Sequence, residues 1–219
     1  MIFINYKTFE ESSGERAVAL TKSLEEAAHI SQVKIIPVVQ IIDAEAVTSS
    51  TALEVWIQHV DPVSYGAHTG WTLPEEAARV GIAGVFLNHS EHKFNDFEAL
   101  RTANEKAMGA NLKTLIFASN LEELKNVCAL APTYVAYEPP ELVGSTETSV
   151  ARAQPEIVSQ ASDIARAAGL PLVVGAGVSS VDDVKKSVEL GAVGVAIATA
   201  VVKSPDPKAK LLELTEGFK

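Results

Sequence analysis

Apolar residues fall in short, nearly continuous runs along the chain: 2–5, 34–39, 55–60, 82–87, 113–118, 133–137, 172–175 and 194–198. Runs of this length without strict alternation are how strands read when both faces of a parallel sheet are covered. Between them lie helix-length segments with polar start signals. Ser13 precedes ERAVALTKSLEEA, Asp43 precedes AEAVTSS, Asn120 precedes LEELKNVCAL and Ser180 precedes VDDVKKSVEL. Thr72 and Glu75 stand at capping-box spacing, with Pro74 tolerated in the first turn. Gly81, Gly109, Gly169 and Gly191 fall where helices should stop. Eight strands thus alternate with eight helical segments, at a mean period of about 27 residues, the rhythm of a closed (β/α)8 barrel.

The rival is a doubly wound open sheet. It would more often show a glycine-rich phosphate fingerprint after its first strand. Here that strand ends in Asn5-Tyr6-Lys7 instead. No change of composition divides the 219 residues, so they are expected to form one domain. Two connections are long. One runs from Glu138 to Pro155, and the other is DPVSYGAHTGW over 61–71. Both belong at the C-terminal face, where barrels keep their active sites.

Composition narrows the possibilities. A hydrophobic fraction of 47% is enough for a sizeable core. No run approaches 18 apolar residues, and the first residues lack both a basic region and a long apolar core, so a cytosolic location is expected. The formal net charge of −10 argues against a nucleic-acid surface. It also means that any anionic substrate must be attracted locally, against the global field. Cys128 is the only cysteine, which excludes an internal disulfide and a thiolate metal cage. Its apolar surroundings predict a buried, inert thiol.

Three strand ends carry reactive groups: Asn5 and Lys7 after the first, Asn88-His89-Ser90-Glu91 after the fourth, and Glu138 after the sixth. In a closed barrel these ends converge on one mouth. Taken singly, each has a plainer reading: His89 as a capped or solvated histidine, Glu138 as a turn cap, Lys7 as a surface lysine. His59 is placed either to line the mouth or to pack below it. No histidine–carboxylate spacing demands a metal. GAGVSS over 175–180 and AIATAV over 196–201 follow strands seven and eight, where barrels frequently bind phosphate through backbone N–H groups.

Taken together, these segments resemble the triosephosphate isomerase family in its short archaeal form. The likeness runs nearly end to end. It rests on N-Y-K at 5–7, QHVDPV at 58–63, AHTG at 67–70, NHSEH at 88–92, YEPPELVGS at 137–145, GAGVSS, and the closing GVAIATAVVK. The resemblance implies a single-domain TIM barrel that interconverts D-glyceraldehyde 3-phosphate and dihydroxyacetone phosphate, a step of glycolysis and gluconeogenesis, with no cofactor and no metal. A glutamate base beside a neutral histidine is the established pattern of that family. By position, Glu138 matches the base, His89 the electrophile, and Lys7 the cation near the substrate oxygens, with Asn5 beside it. Glu91 matches the carboxylate behind Lys7. Val143, Gly177, Ala198 and Thr199 match backbone contacts to the substrate phosphate. The resemblance further implies a lid over 139–154, a subunit-contact loop over 61–71, and a homodimer or homotetramer.

The chain departs from the family pattern in three places. Gly144-Ser145-Thr146 replaces Gly-Thr-Gly or Gly-Ser-Gly, with one more residue before Pro155. Ala198-Thr199-Ala200 replaces Ala-Ser-Gly, and Lys93 stands where an arginine is usual. Two other readings share the fold: a barrel enzyme acting on a different sugar phosphate or phosphorylated aromatic precursor, and a phosphate-binding barrel without turnover.

Overall fold

The computed structural model describes residues 1–142 and 149–219, apart from the side chain of Glu141. Eight parallel strands close into a barrel in sequence order, β1 to β8: Ile2–Asn5, Ile35–Val39, Trp56–Ile57, Gly84–Leu87, Lys113–Ala118, Tyr134–Tyr137, Leu172–Val174 and Gly194–Ile197. Closure comes from β1 pairing with both β2 and β8, with Ile2 opposite Ile35 and Val195. Seven of the eight predicted runs match within about two residues. The third does not: the run over 55–60 keeps only Trp56 and Ile57 as strand. Downstream of it, Gln58 turns its side-chain amide to the carbonyls of Lys7 and Val38.

Ten α-helices are described rather than eight segments: α1 Glu15–Ser31, α2 Ala44–Thr48, α3 Pro74–Arg79, α4 Phe97–Gly109, α5 Leu121–Cys128, α6 Val150–Ala153, α7 Pro155–Ala167, α8 Val181–Glu189, α9 Thr199–Val202 and α10 Pro207–Thr215. The additions are α6 and α9, single turns at the mouth. Asn120 and Ser180 cap as predicted, the latter in a reciprocal box with Asp183. The other three start signals fail because each side chain or helix start lies elsewhere. Ser13 Oγ donates to the Phe9 carbonyl, and α1 starts from Gly14. Asp43 Oδ1 accepts from Gly14 N–H instead of its own helix. The flanking residue of α3 is Leu73, and Thr72 pairs with Asp61 through its backbone, its N–H donating to Asp61 Oδ2 and its carbonyl accepting the Asp61 N–H. At helix ends, Gly81, Gly169 and Gly191 adopt positive φ, whereas Gly109 is still helical and Asn111 makes the left-handed turn.

Side chains divide by strand period. Phe3, Ile36, Val38, Trp56, Phe86, Leu115, Phe117, Ala136 and Val173 point inward and form one buried cluster. Their neighbours in sequence point outward and pack under the helices, as Ile2, Ile4, Ile35, Val85, Val135 and Val174 do. Phe3 meets Trp56 edge-on at 5.1 Å, and Phe86 meets Phe117 the same way at 4.8 Å. Gly84 makes room for this filling, because a Cβ there would lie 2.3 Å from the Trp56 ring. Cys128 is buried, and burial raises its thiol pKa.

The N-terminal face is closed by an ion cluster. Glu54 accepts from Lys34 at 2.7 Å, Lys113 at 2.9 Å and the Trp56 indole at 2.9 Å. Burial alone would raise the pKa of Glu54, but these three donors outweigh it and hold the carboxyl at about 2. A depressed folded-state pKa contributes stability above the ordinary value of 4.5, lost as pH falls toward 2. The melting-temperature gap between the parent and Glu54→Gln is therefore expected to be widest at neutral pH and to narrow across that interval. A gap independent of pH would refute the assignment.

Candidate active site

The strand period that fills the barrel also selects what faces the mouth. On β6, Tyr134 and Ala136 pack with the interior cluster, and Glu138 is the next residue on that face. On β1, Phe3 is interior and Asn5 follows; on β7, Val173 is interior and Gly175 follows. Glu138, His89, Asn5, Lys7, Gly177, Ala198 and Thr199 all line one cavity of about 290 Å³. Val143, the remaining predicted contact, lies outside the described residues.

His89 reaches the cavity by a different device. Asn88 adopts φ of 60°, and this left-handed residue turns the chain so that the next side chain enters the mouth. The turn is held by the Asn88 amide, which donates to Phe117 O at 3.0 Å and to Glu123 Oε1 at 2.8 Å. The His89 ring then stands edge-on over Phe117 at 4.9 Å, the top of the aromatic filling. Lys7 is likewise left-handed, with φ of 47°. A non-glycine residue in that region costs roughly 1 kcal/mol or more and must be held by its surroundings. Here Lys7 N–H donates to Asn5 Oδ1 at 2.9 Å, and Gln58 Nε2 donates to Lys7 O at 2.9 Å. The ammonium donates to Glu91 Oε1 at 2.6 Å, so Glu91 stands behind Lys7 rather than in the cavity lining.

The protonation states follow from burial and from these bonds. His89 Nδ1 accepts the Glu91 N–H at 3.1 Å, which leaves the proton of a neutral ring on Nε2, 3.2 Å from Glu138 Oε2. Burial lowers the pKa of His89 to about 4; Glu91 opposes the shift and Lys7 adds to it. The ring is neutral at pH 7. Burial has the opposite effect on Glu138 and raises it to about 7, against the pull of Ser90 and Lys7 and with a push from Glu91. The carboxyl is 6% exposed, and among the described residues it accepts from one hydroxyl, Ser90 Oγ at 3.3 Å. Such a carboxylate is suited to taking and returning a proton near neutral pH.

The far end of the cavity is made of backbone. Ala176 and Gly177 both have φ of 70°, a tight left-handed pair after β7. Among the described residues, the N–H groups of Gly177, Thr199 and Ala200 have no hydrogen-bond acceptor. The neighbouring amides of Ser179 and Ser180 are already used, at 3.1 and 3.0 Å, by Asp183. Asp183 also accepts the Ser149 hydroxyl at 2.7 Å and so ties the start of α6 to this loop. Among the described residues, the open donors are thus at Gly177 and the β8 end, not at the start of α8.

Comparison with known proteins identifies the family. A family model described as Triosephosphate isomerase matches residues 1–117 and 101–216. The chain belongs to the triosephosphate isomerase family. It is similar to proteins named triosephosphate isomerase from Methanothermus fervidus, 37% identical over 216 residues, and Thermoplasma volcanium, 36% identical over 213. These alignments cover 98% and 97% of this chain, and 96% and 98% of the respective relatives. The relative from Methanocaldococcus jannaschii is 35% identical, with 98% of each chain covered.

Within this triosephosphate isomerase fold, the other histidines lie apart from the main cavity. His59 stacks on His92 at 4.0 Å and approaches Asp61 at 3.3 Å, while His68 packs near Trp71. Burial and the His92 charge lower the pKa of His59, against Asp61. Three contributors escaped sequence reasoning: Ser90 as the partner of Glu138, Gln58 as the clamp on Lys7, and Gly175. Strand parity could have found the last two, since Gln58 follows Trp56 and Gly175 follows Val173 on the inward face. A Cβ at Gly175 would lie 2.6 Å from Glu138 Oε1. Gly175→Ala is expected to displace the carboxylate and lower kcat by about 10²-fold. The far-ultraviolet spectrum should not change. Parent-like kcat in the folded variant would show that Glu138 does not depend on this space.

Proposed function

We propose that this chain interconverts D-glyceraldehyde 3-phosphate and dihydroxyacetone phosphate through an enediolate, with Glu138 as base and His89 as electrophile. The observation that carries the reading is a carboxylate, a neutral imidazole and an ammonium around one small cavity. Its volume suits a three-carbon phosphate rather than a dinucleotide. Glu138 takes a proton from the carbon beside the carbonyl and returns it to the adjacent carbon. His89 gives its Nε2 proton to the oxygen on which negative charge develops and takes one back from the neighbouring hydroxyl, so that a proton also passes between the two oxygens as the carbonyl changes carbon. Lys7 adds a fixed positive charge there, with Asn5 beside it. Loss of one such donor typically costs about 10²–10³ in rate. Glu91 holds the Lys7 ammonium in place. Gly177, Ala198 and Thr199 contact the phosphate through their backbone, joined by Val143 from the segment over 139–154, which acts as the cover of the site.

The reaction belongs to glycolysis and gluconeogenesis, and residues 1–219 act as one barrel domain. No described helix is long and apolar enough to cross a membrane, and a cytoplasmic location suits the pathway. Glu138→Gln removes the base while leaving the fold. Turnover of glyceraldehyde 3-phosphate in a coupled assay is expected to fall about 10²–10⁴-fold, with a phosphoglycolate-type inhibitor still bound. Equal turnover by variant and parent would end the assignment.

The loop over 61–71 serves as the contact between two copies of the chain. It exposes Tyr65 and Trp71 beside exposed Ile41 and Ile42, an apolar area that solvent disfavours. Light scattering at micromolar concentration is expected to give two or four chains. Trp71→Glu should shift the population toward smaller species. A monomeric parent would contradict this contact.

A further inference from the structure

The chain carries 18 basic and 28 acidic residues, yet its proposed substrate is a dianion. A compensating charge must therefore lie close to where the phosphate sits. Among the described residues, two cations line the cavity: Lys7 and Lys210. Lys7 shares its end with Asn5 and His89 and is already engaged by Glu91. Lys210 comes from α10 and lines the cavity together with Ser179, Val178, Thr199 and Ala200, the residues of its backbone end, where the N–H groups of Thr199 and Ala200 have no acceptor among the described residues.

We propose that Lys210 is the cation that selects and holds the phosphate group of the substrate. This rests on the isomerase reading above and assigns the residue that supplies charge at the phosphate end of that site. The neighbouring lysines are committed elsewhere. Lys203 lies over the Phe9 ring at 4.4 Å, and Lys208 pairs with Glu26 of α1 at 2.6 Å. Among the described residues, Lys210 pairs with Glu213 alone, one turn along its own helix, at 3.0 and 3.1 Å. Glu213 is half exposed. A one-turn surface pair of this kind is weak and readily gives way to a stronger anion. The Lys210 side chain itself is only 24% exposed, so its charge is screened less than that of an extended surface lysine. An ammonium on a flexible stem can reach a phosphate oxygen without any rearrangement of the backbone donors.

The test uses the full chain and inorganic phosphate as probe, titrated by NMR at low ionic strength. Lys210→Gln is expected to raise the phosphate Kd, and the KM for glyceraldehyde 3-phosphate, by about five- to tenfold. Lys210→Arg should recover most of the loss, and added salt should shrink the difference between Lys210→Gln and parent. Lys208→Gln, outside the cavity, should match the parent in both measurements. An unchanged phosphate Kd in Lys210→Gln overturns the proposal. So does a loss that neither arginine nor salt alters, because that pattern belongs to packing rather than charge. The titration needs no turnover. A parent that binds phosphate through Lys210 but does not isomerise would refute the isomerase reading alone.

Discussion

A strand repeats its side-chain direction every second residue, and a closed barrel converts that period into chemistry. Each inward row begins in the filled interior and ends one position later at the mouth. Tyr134, Ala136 and Glu138 form one such row, Phe3 and Asn5 another, Val173 and Gly175 a third. Closure brings the ends of these rows within contact of one another although they are far apart in the chain. The cost is crowding. Gly84 yields space to Trp56, Gly175 to Glu138, and Gly194 to Met1, where a Cβ would lie 2.5 Å from the Met1 carbonyl. These glycines are required by neighbours across the barrel rather than by their own backbone angles.

Burial alone then produces two opposite and complementary protonation states. Removing water disfavours the charged form of any group, so it lowers His89 and raises Glu138. The imidazole becomes a neutral donor, and the carboxylate becomes able to take a proton near pH 7. Two other carboxylates, the buried Asp183 and the half-buried Glu54, show what prevents this. Asp183 collects two N–H groups and three hydroxyls from Ser149, Ser179 and Ser180, and Glu54 collects two ammonium groups and an indole. Burial raises both, yet the donors pull both below the ordinary range. Among the described residues, Glu138 has one hydroxyl at 3.3 Å and the His89 Nε2 at 3.2 Å. The number of donors offered separates the carboxyl that is raised toward neutral pH from those that are held low.

The mouth is built from strained and unstrained parts with different jobs. Lys7, Asn88 and Ala176 are non-glycine residues at positive φ, each at a strand end that feeds the cavity. Two of them are tied down by neighbouring elements: Gln58, just after β3, holds the Lys7 carbonyl, and Phe117 of β5 and Glu123 of α5 hold the Asn88 amide. The strain thus sits just past the strand ends and is held by the elements around them. Asp183 extends the same logic to the backbone end of the cavity, where it fixes the loop after β7 and the start of α6 with one carboxylate.

The strands, their order and the barrel class were legible in the apolar runs, because burial on both faces leaves a mark within five or six residues. The caps at Asn120 and Ser180 were legible for the same reason: donor and acceptor lie three residues apart. The signals at Ser13, Asp43 and Thr72 misled because their partners or helix starts were displaced. The gathering of Asn5, Lys7, His89 and Glu138 was expected from strand ends and family likeness, but its geometry was not. Nothing local distinguishes His89 from His59, and no nearby residue announces that Ser90 meets Glu138 across 48 positions or that Lys7 meets Glu91 across 84. Only the closed barrel decides these pairings. Protonation state depends on water removed and donors supplied by distant strands, and neither quantity exists until the chain has folded.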